Sequence, residues 1–199
     1  MNREPLQDDY SLQAPQGTEP VSDPLLARVQ QPYKPHCRYI RSATVRRLDQ
    51  PGQTQPGDKL VEARAQFGIA ESCYIDETGH FNSVEFNLCY NQLIYVLLAQ
   101  SAKEGLLDAL GDMTLDHFYQ RMLPDVLIHD FACRFSKPMD RRHFEGLLTV
   151  LEAKDHGHMI LLRTHCQFSD SHGGLSLGNV SLAIVDSSAT STTRHTKGS

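Results

Sequence analysis

A chain of 199 residues with a formal net charge of -5 and a pI near 6.0 is long enough for one domain with a real core, and it lacks the net positive charge on which sequence-independent phosphate binding depends. Nucleic acid is therefore not an expected partner, and the basic cluster RSATVRR at 41–47 reads as a solvated strand face. No run approaches the roughly 18 apolar residues of a membrane span, MNREPLQDDYSLQ has no signal-peptide pattern, and Cys37, Cys73, Cys89, Cys133 and Cys166 form no C-x-x-C pair, so a cytoplasmic protein with free thiols and no membrane partner is expected.

Residues 1–24 are rich in Gln, Pro and Asp, and 186–199 in Ser and Thr. Such compositions bury too little apolar surface to offset the entropy of ordering. The expected organisation is a flexible N-terminal segment (1–24), one domain (25–185) and a disordered tail (186–199). CRYIRSATVRRL is strand-like, QPGQTQPG at 50–57 is a turn-forming loop, and in DKLVEARAQFGI the residues Val61, Ala63, Ala65, Phe67 and Ile69 alternate with Glu62, Arg64 and Gln66. Together they predict a hairpin. After Gly79, Asn82 is placed as the N-cap of a helix, with Glu85 at the capping-box spacing and an apolar run to Leu98 that leaves little polar surface. TLDHFYQRML predicts a second helix, capped by Thr114 and ended by Pro124.

Four further strand-like runs follow, VLIHDFACRFS, FEGLLTVLEA, HMILLRTHCQF and LSLGNVSLAIV, separated by the short turns KPMD, KDHG and DSHGG. Short links make antiparallel neighbours. In the last run the apolar phase slips between Leu177 and Val180, which predicts a bulge at Gly178 and Asn179. The whole reads as α+β, an antiparallel sheet of about six strands curled around a long central helix. This is the hotdog layout, which by fold-level analogy implies a homodimer or higher homo-oligomer with a ligand tunnel between protomers.

The motif GLSLG at 174–178, with His172 before it, fits G-x-S-x-G, but a nucleophile elbow needs a strand–turn–helix context and the local pattern is strand. Ser176 is therefore read as a strand residue. His156 and His158 beside Asp155 fall in a predicted hairpin turn and read as solvated. A stronger candidate is the glycine-led start of the buried helix, where backbone N–H groups and the positive dipole end suit a developing oxyanion. Tyr74, His80 and Asn82 surround it; Asn91, seven residues past Val84, shares a stripe with Val84, Leu88 and Tyr95, and Tyr33 is a phenol ahead of the first strand. Each has a plainer reading: Asn82 as a helix cap, Tyr74 as a strand-end residue, His80 as a structural histidine. Their clustering in a chain without a conventional nucleophile favours the chemical one.

LLARVQQPY, ESCYIDETGHFNSVEFNLCYNQL and CRFSKP resemble, in order and spacing, the FcoT-like acyl-thioesterase family of hotdog proteins, over about residues 24–185 and with a Y-x(5)-H-x-N-x(8)-NQ pattern. The resemblance implies one of two activities: hydrolysis of acyl-CoA, or addition of glycine to a (2E)-enoyl thioester on an acyl carrier protein in isonitrile lipopeptide biosynthesis. The addition gives a 3-[(carboxymethyl)amino]acyl product, with hydrolysis as a further step. It also implies that Tyr74, Asn82 and Asn91 match catalytic positions and that Tyr33 matches a tyrosine at the site. His80 as the base is an inference from its chemistry. Gly79, Phe81 and Ser83 are placed at the substrate by their position, and Arg134 and Lys137 as cations for the glycine carboxylate. No metal or organic cofactor is implied; the expected partners are an enoyl-loaded carrier protein and glycine. A plain acyl-CoA thioesterase and a non-catalytic acyl-thioester binder remain the alternatives.

Overall fold

Strict alternation along Val61–Phe67 forms a strand, β2, whose Val61, Ala63, Ala65 and Phe67 are buried while Gln66 on the other face is exposed. It pairs antiparallel with β1 (Ile40–Arg47), as the hairpin reading expects. The computed structural model describes residues 20–48, 59–76 and 79–185. The expected loop at 50–57 and tail at 186–199, and the expected N-terminal segment as far as residue 19, lie outside the described residues. Ahead of β1, Pro20 bridges Thr44 and the Val21 N–H donates to the Ala43 carbonyl at 2.8 Å. There follows a helix that periodicity did not predict, α1 (Asp23–Gln30), which buries Leu25, Leu26 and Val29.

The central helix α2 runs from Ser83 to Glu104 and ends at Gly105, whose φ of 64° is the left-handed cap that glycine adopts without strain. A short helix α3 (Leu115–Arg121) is capped by the Thr114 hydroxyl, as predicted. The remaining strands are β3 (Val126–Lys137), β4 (Phe144–Asp155), β5 (Met159–Ser169) and β6 (Leu175–Val185). All six pair antiparallel in the order β1-β2-β4-β5-β6-β3. The chain therefore leaves the sheet after β2, passes through α2 and α3, and re-enters at the far edge as β3. Ala43, Ala63 and Ala65 are buried where α2 packs on β1 and β2. Small side chains let a helix backbone approach a sheet closely.

The bulge expected at Gly178 and Asn179 is absent: β5 and β6 pair in unbroken register from Met159↔Val185 to Ser169↔Leu175. Alternation is preserved because Ser176 and Gly178 take the inward positions and leave Leu175 and Leu177 on the outer face. A Cβ on Gly178 would lie 2.6 Å from Cζ of Phe86, so the aromatic ring of α2 occupies the space that a larger residue would need. The register breaks in this sheet lie elsewhere, between Ile40 and Ser42, between Val150 and Glu152, and twice along β3.

Candidate active site at the start of α2

The first turn of α2 is held by a reciprocal cap. Asn82 Oδ1 accepts the backbone N–H groups of Val84 at 2.9 Å and Glu85 at 3.3 Å, and Glu85 Oε2 accepts the Asn82 N–H at 3.3 Å. Phe81, the residue before the cap, packs on Phe86 with ring centroids 6.2 Å apart, which is the hydrophobic staple that fixes the entry of the chain. Phe81 also meets Phe135, Phe144 and Phe168 and is 2 % exposed, so it belongs to the aromatic core and not to an open substrate surface. The cap changes the oxyanion argument as well. It consumes the N–H groups of Val84 and Glu85, leaving Ser83, which is exposed, to offer its own.

What the cap leaves free is a side-chain donor. Asn82 Nδ2 is buried and has no hydrogen-bond partner among the described residues. Unpaired buried polar atoms are costly, and they concentrate where a ligand, water or partner completes them. Burial pushes the Glu85 carboxyl above the usual range, opposed by hydrogen bonds from the Asn82 N–H and the Ser72 hydroxyl and by the nearby Arg141 guanidinium. Tyr74 is 49 % exposed, and His80, two residues before the cap, is exposed as well. Gly79, next to His80, has a φ of 72°.

Asn91 is half-exposed, not a buried amide, and its Nδ2 donates to Asn87 Oδ1 at 3.5 Å. Along the expected stripe Val84 is 43 % exposed and Leu88 and Asn91 are half-buried, whereas Tyr95 is buried in the core. Tyr33 packs against the core beside the middle of this helix; burial raises its phenol pKa, and the neighbouring Tyr95 and Cys89 add to the effect. Asn82 and Asn91 are separated by about 13 Å along the helix at 1.5 Å per residue. The predicted residues therefore form an open strip rather than a closed cluster.

Arg134 and Lys137 lie on β3, the sheet edge. Phe131 and Phe135 point inward, with rings 5.7 and 6.0 Å from that of Phe86. Alternation turns Arg134, between them, to the outer face and away from the α2 start. Lys137 follows the register break after Phe135 and is exposed near Gly173. Among the described residues no hydrogen bond or ion pair joins either cation to Asn82.

One polar residue of α2 was read only as part of a pattern. Gln92 is fully buried; its Nε2 donates to the Cys37 carbonyl at 2.7 Å, and its Oε1 accepts the N–H groups of Tyr39 at 2.9 Å and Ile40 at 3.4 Å. It ties the helix to the entry of β1, which explains an amide in an apolar run. A cavity of about 650 Å³ lies between α1, α3 and the last turns of α2, lined by Leu25, Arg28, Lys103, Leu115 and Tyr119. It sits at the other end of the helix from Asn82 and takes no part in this site.

An antiparallel sheet of this order packed on one long helix is the hotdog fold of thioesterase-type proteins. A crystal structure of a candidate thioesterase from Shewanella oneidensis superposes with a TM-score of 0.50 at 11 % identity, covering 83 % of this chain and 100 % of that one. The chain belongs to the FcoT-like thioesterase domain family, whose model matches residues 28–184. Similar proteins include a (2E)-enoyl-[ACP] glycyltransferase of Streptomyces coeruleorubidus, 48 % identical over 126 residues, 63 % of this chain and 71 % of that protein. Another of the same name from Mycobacterium tuberculosis is 34 % identical over 181 residues, 87 % of this chain and 92 % of the relative.

Proposed function

We propose that this protein is a (2E)-enoyl-[ACP] glycyltransferase, adding glycine to an enoyl thioester on an acyl carrier protein. The observation that carries the reading is the similarity, over 87 % of this chain, to a relative bearing that name. The capped start of α2, with the unpartnered Nδ2 of Asn82, fits the same chemistry.

In this mechanism a base takes a proton from the glycine ammonium, and the freed nitrogen lone pair forms a bond to C3 of the enoyl chain. The C2–C3 π electrons move toward the carbonyl and charge gathers on the thioester oxygen as an enolate. Asn82 Nδ2 and the Ser83 N–H are the donors for that oxygen, with Tyr74 bordering it. Return of the proton to C2 gives the 3-[(carboxymethyl)amino]acyl thioester. His80, exposed beside the cap, is the base. Hydrolysis of the thioester would place its negative charge on the same oxygen, so one donor set serves release of the acid too. Tyr33 and Asn91 line the route of the acyl chain along the open face of α2.

The reading includes a homodimer. Its support is β3, a strand of 12 residues at the sheet edge, with Leu127, Ile128 and Phe135 exposed and one row of backbone hydrogen-bonding groups unpaired among the described strands. Pairing of two such edges would cover this surface and bring a second copy toward the open strip. No helix among the described residues is long and apolar enough to cross a membrane. A cytoplasmic step of isonitrile lipopeptide assembly is the setting proposed.

Mass spectrometry of a carrier protein loaded with a (2E)-enoyl chain, incubated with and without glycine beside a saturated-acyl control, tests the reading. A glycine adduct formed only on the enoyl chain is expected. Glycine-independent loss of both acyl groups would make the protein a thioesterase, and no change in either would make it a binder.

A further inference from the structure

We propose that the connection between α1 and β1, residues 31–39, together with the last turn of α1, is the docking surface for the acyl carrier protein, with Arg28, Lys34 and Arg38 as its cations. The inference rests on the glycine-addition reading above and names where its protein partner binds.

Charge is unevenly spread along this chain. The net charge is -5, yet residues 24–48 hold six Lys and Arg and no Asp or Glu. Two of the six are neutralised by other elements, Arg46 by Glu62 and Arg47 by Asp108. Arg28, Lys34, Arg38 and Arg41 are exposed and form no ion pair among the described residues. Three of these are gathered in one place. Arg28 donates to the side-chain oxygen of Gln31, and Arg38 donates to the Gln31 carbonyl at 3.3 Å and to the Tyr33 carbonyl at 3.1 Å. Two guanidinium groups therefore meet on Gln31, with Lys34 three residues further on. Bonds to amide oxygens fix these groups without cancelling their charge, and an arriving anion relieves the repulsion between them.

A protein partner fits better than a free anion, because apolar surface adjoins the charge. Arg28 lies 5.4 Å from the centre of the Tyr119 ring and borders the cavity of about 650 Å³, whose lining holds two cations, Arg28 and Lys103, one acid, Asp116, and the apolar Leu25 and Leu115. A cationic rim beside an apolar hollow complements an acidic helix that carries an apolar side chain. Acyl carrier proteins are acidic, and the chain they deliver hangs from a phosphopantetheine arm whose phosphate is a further anion. The connection is also placed to pass that arm inward. Tyr33 is half-buried on its inner side, and Gln92 Nε2 donates to the Cys37 carbonyl of the same connection at 2.7 Å. Gln92 is ten residues from Asn82, about 15 Å along α2 at 1.5 Å per residue, a span that an extended arm covers. The surface lies at the β1 edge of the sheet, opposite the β3 edge, so pairing of two β3 edges leaves it open.

Lys34→Glu reverses a charge whose side chain makes no hydrogen bond or ion pair among the described residues, and adding Arg28→Glu reverses a second. In glycine addition to an enoyl-loaded carrier protein, K34E should raise the KM for the carrier roughly tenfold and the double variant should raise it further, with kcat and the glycine KM unchanged. With the same enoyl chain as its N-acetylcysteamine thioester, which has neither phosphate nor protein, both variants should match the wild type. Added sodium chloride should raise the wild-type KM for the carrier protein and leave that for the small thioester as it was. An unchanged carrier KM in both variants, or an equal loss with the small thioester, would overturn the proposal. An equal rise with the enoyl-CoA thioester would assign the cations to a phosphate instead of a carrier surface, and would overturn it too. If the wild type forms no glycine adduct, the functional reading fails by itself, and calorimetric titration of wild type and K34E with the loaded carrier protein, without glycine, still decides the docking. Weaker binding by K34E is expected there; equal binding, or none by the wild type, would overturn the surface.

Discussion

Asn82 and Glu85 each accept the other's backbone N–H at 3.3 Å, and the Asn82 side chain still has a buried donor left over. One residue therefore has two separable tasks, ending the helix with its oxygen and presenting an N–H with its nitrogen.

Asn82→Ala removes both tasks and Asn82→Ser removes one, because a serine hydroxyl can still cap. The alanine variant should lose about 1 kcal/mol of stability and the serine variant only a few tenths. Both should lose roughly 10²-fold in kcat for adduct formation, the usual cost of a missing oxyanion donor. Thermal melts beside single-turnover rates test this, and a serine variant with wild-type rate would reduce Asn82 to a cap.

Gln92→Leu preserves volume and apolarity but leaves the Cys37 carbonyl and the Tyr39 and Ile40 N–H groups without their partner. Each buried group left unpaired costs about 1–3 kcal/mol, so a loss of at least about 3 kcal/mol is expected. The shift in the urea midpoint measures it. A loss below about 1 kcal/mol would mean that the entry of β1 is held by something else.

Glu85 also makes a prediction about pH. Its folded-state pKa lies above the unfolded value because burial disfavours the charge. The neutral acid therefore contributes stability that is fully present below the unfolded pKa and is lost as pH rises through the folded pKa. Glu85→Gln does not titrate, so its stability relative to the wild type should increase from pH 4 upward and then level off. Urea denaturation of both proteins across that range would show it. A difference independent of pH would place the carboxyl in an environment like water.

Gly178→Ala should destabilise by about 1–3 kcal/mol through overpacking, since the new Cβ would meet Phe86 at 2.6 and 2.8 Å and the Ala132 carbonyl at 3.3 Å. Combining it with Phe86→Leu should recover part of that loss. Strictly additive losses would argue that the ring is not the obstacle.

The elements most legible in the sequence were those whose pattern is local. Alternation marked β2, and Asn82 with Glu85 marked the first turn of α2, because an N-cap and its third residue satisfy one another within a few residues of chain. The helix α1 escaped notice because eight residues with three buried apolar side chains are too few to show a period. The bulge expected in β6 does not form, because Phe86 fills the space over Gly178 and lets a glycine take an inward position in unbroken register. Of the candidate site residues, His80 and Asn82 are neighbours at the start of α2, while Phe81 enters the core and Arg134 faces the other side of the sheet.

By itself the sequence determined the alternating strands, the capped central helix and the family to which the chain belongs, since these depend on hydrophobic period, backbone capping and shared residue patterns. Only the tertiary structure decided which polar groups remain unpaired. Burial and partnership are properties of neighbours distant in the chain: Gln92 is satisfied because the entry of β1 reaches it, whereas Asn82 Nδ2 is buried with no partner among the described residues. The order of the strands was likewise a tertiary matter, because a chain that crosses the sheet through α2 can place β3 at the far edge, where its hydrogen-bonding groups face outward.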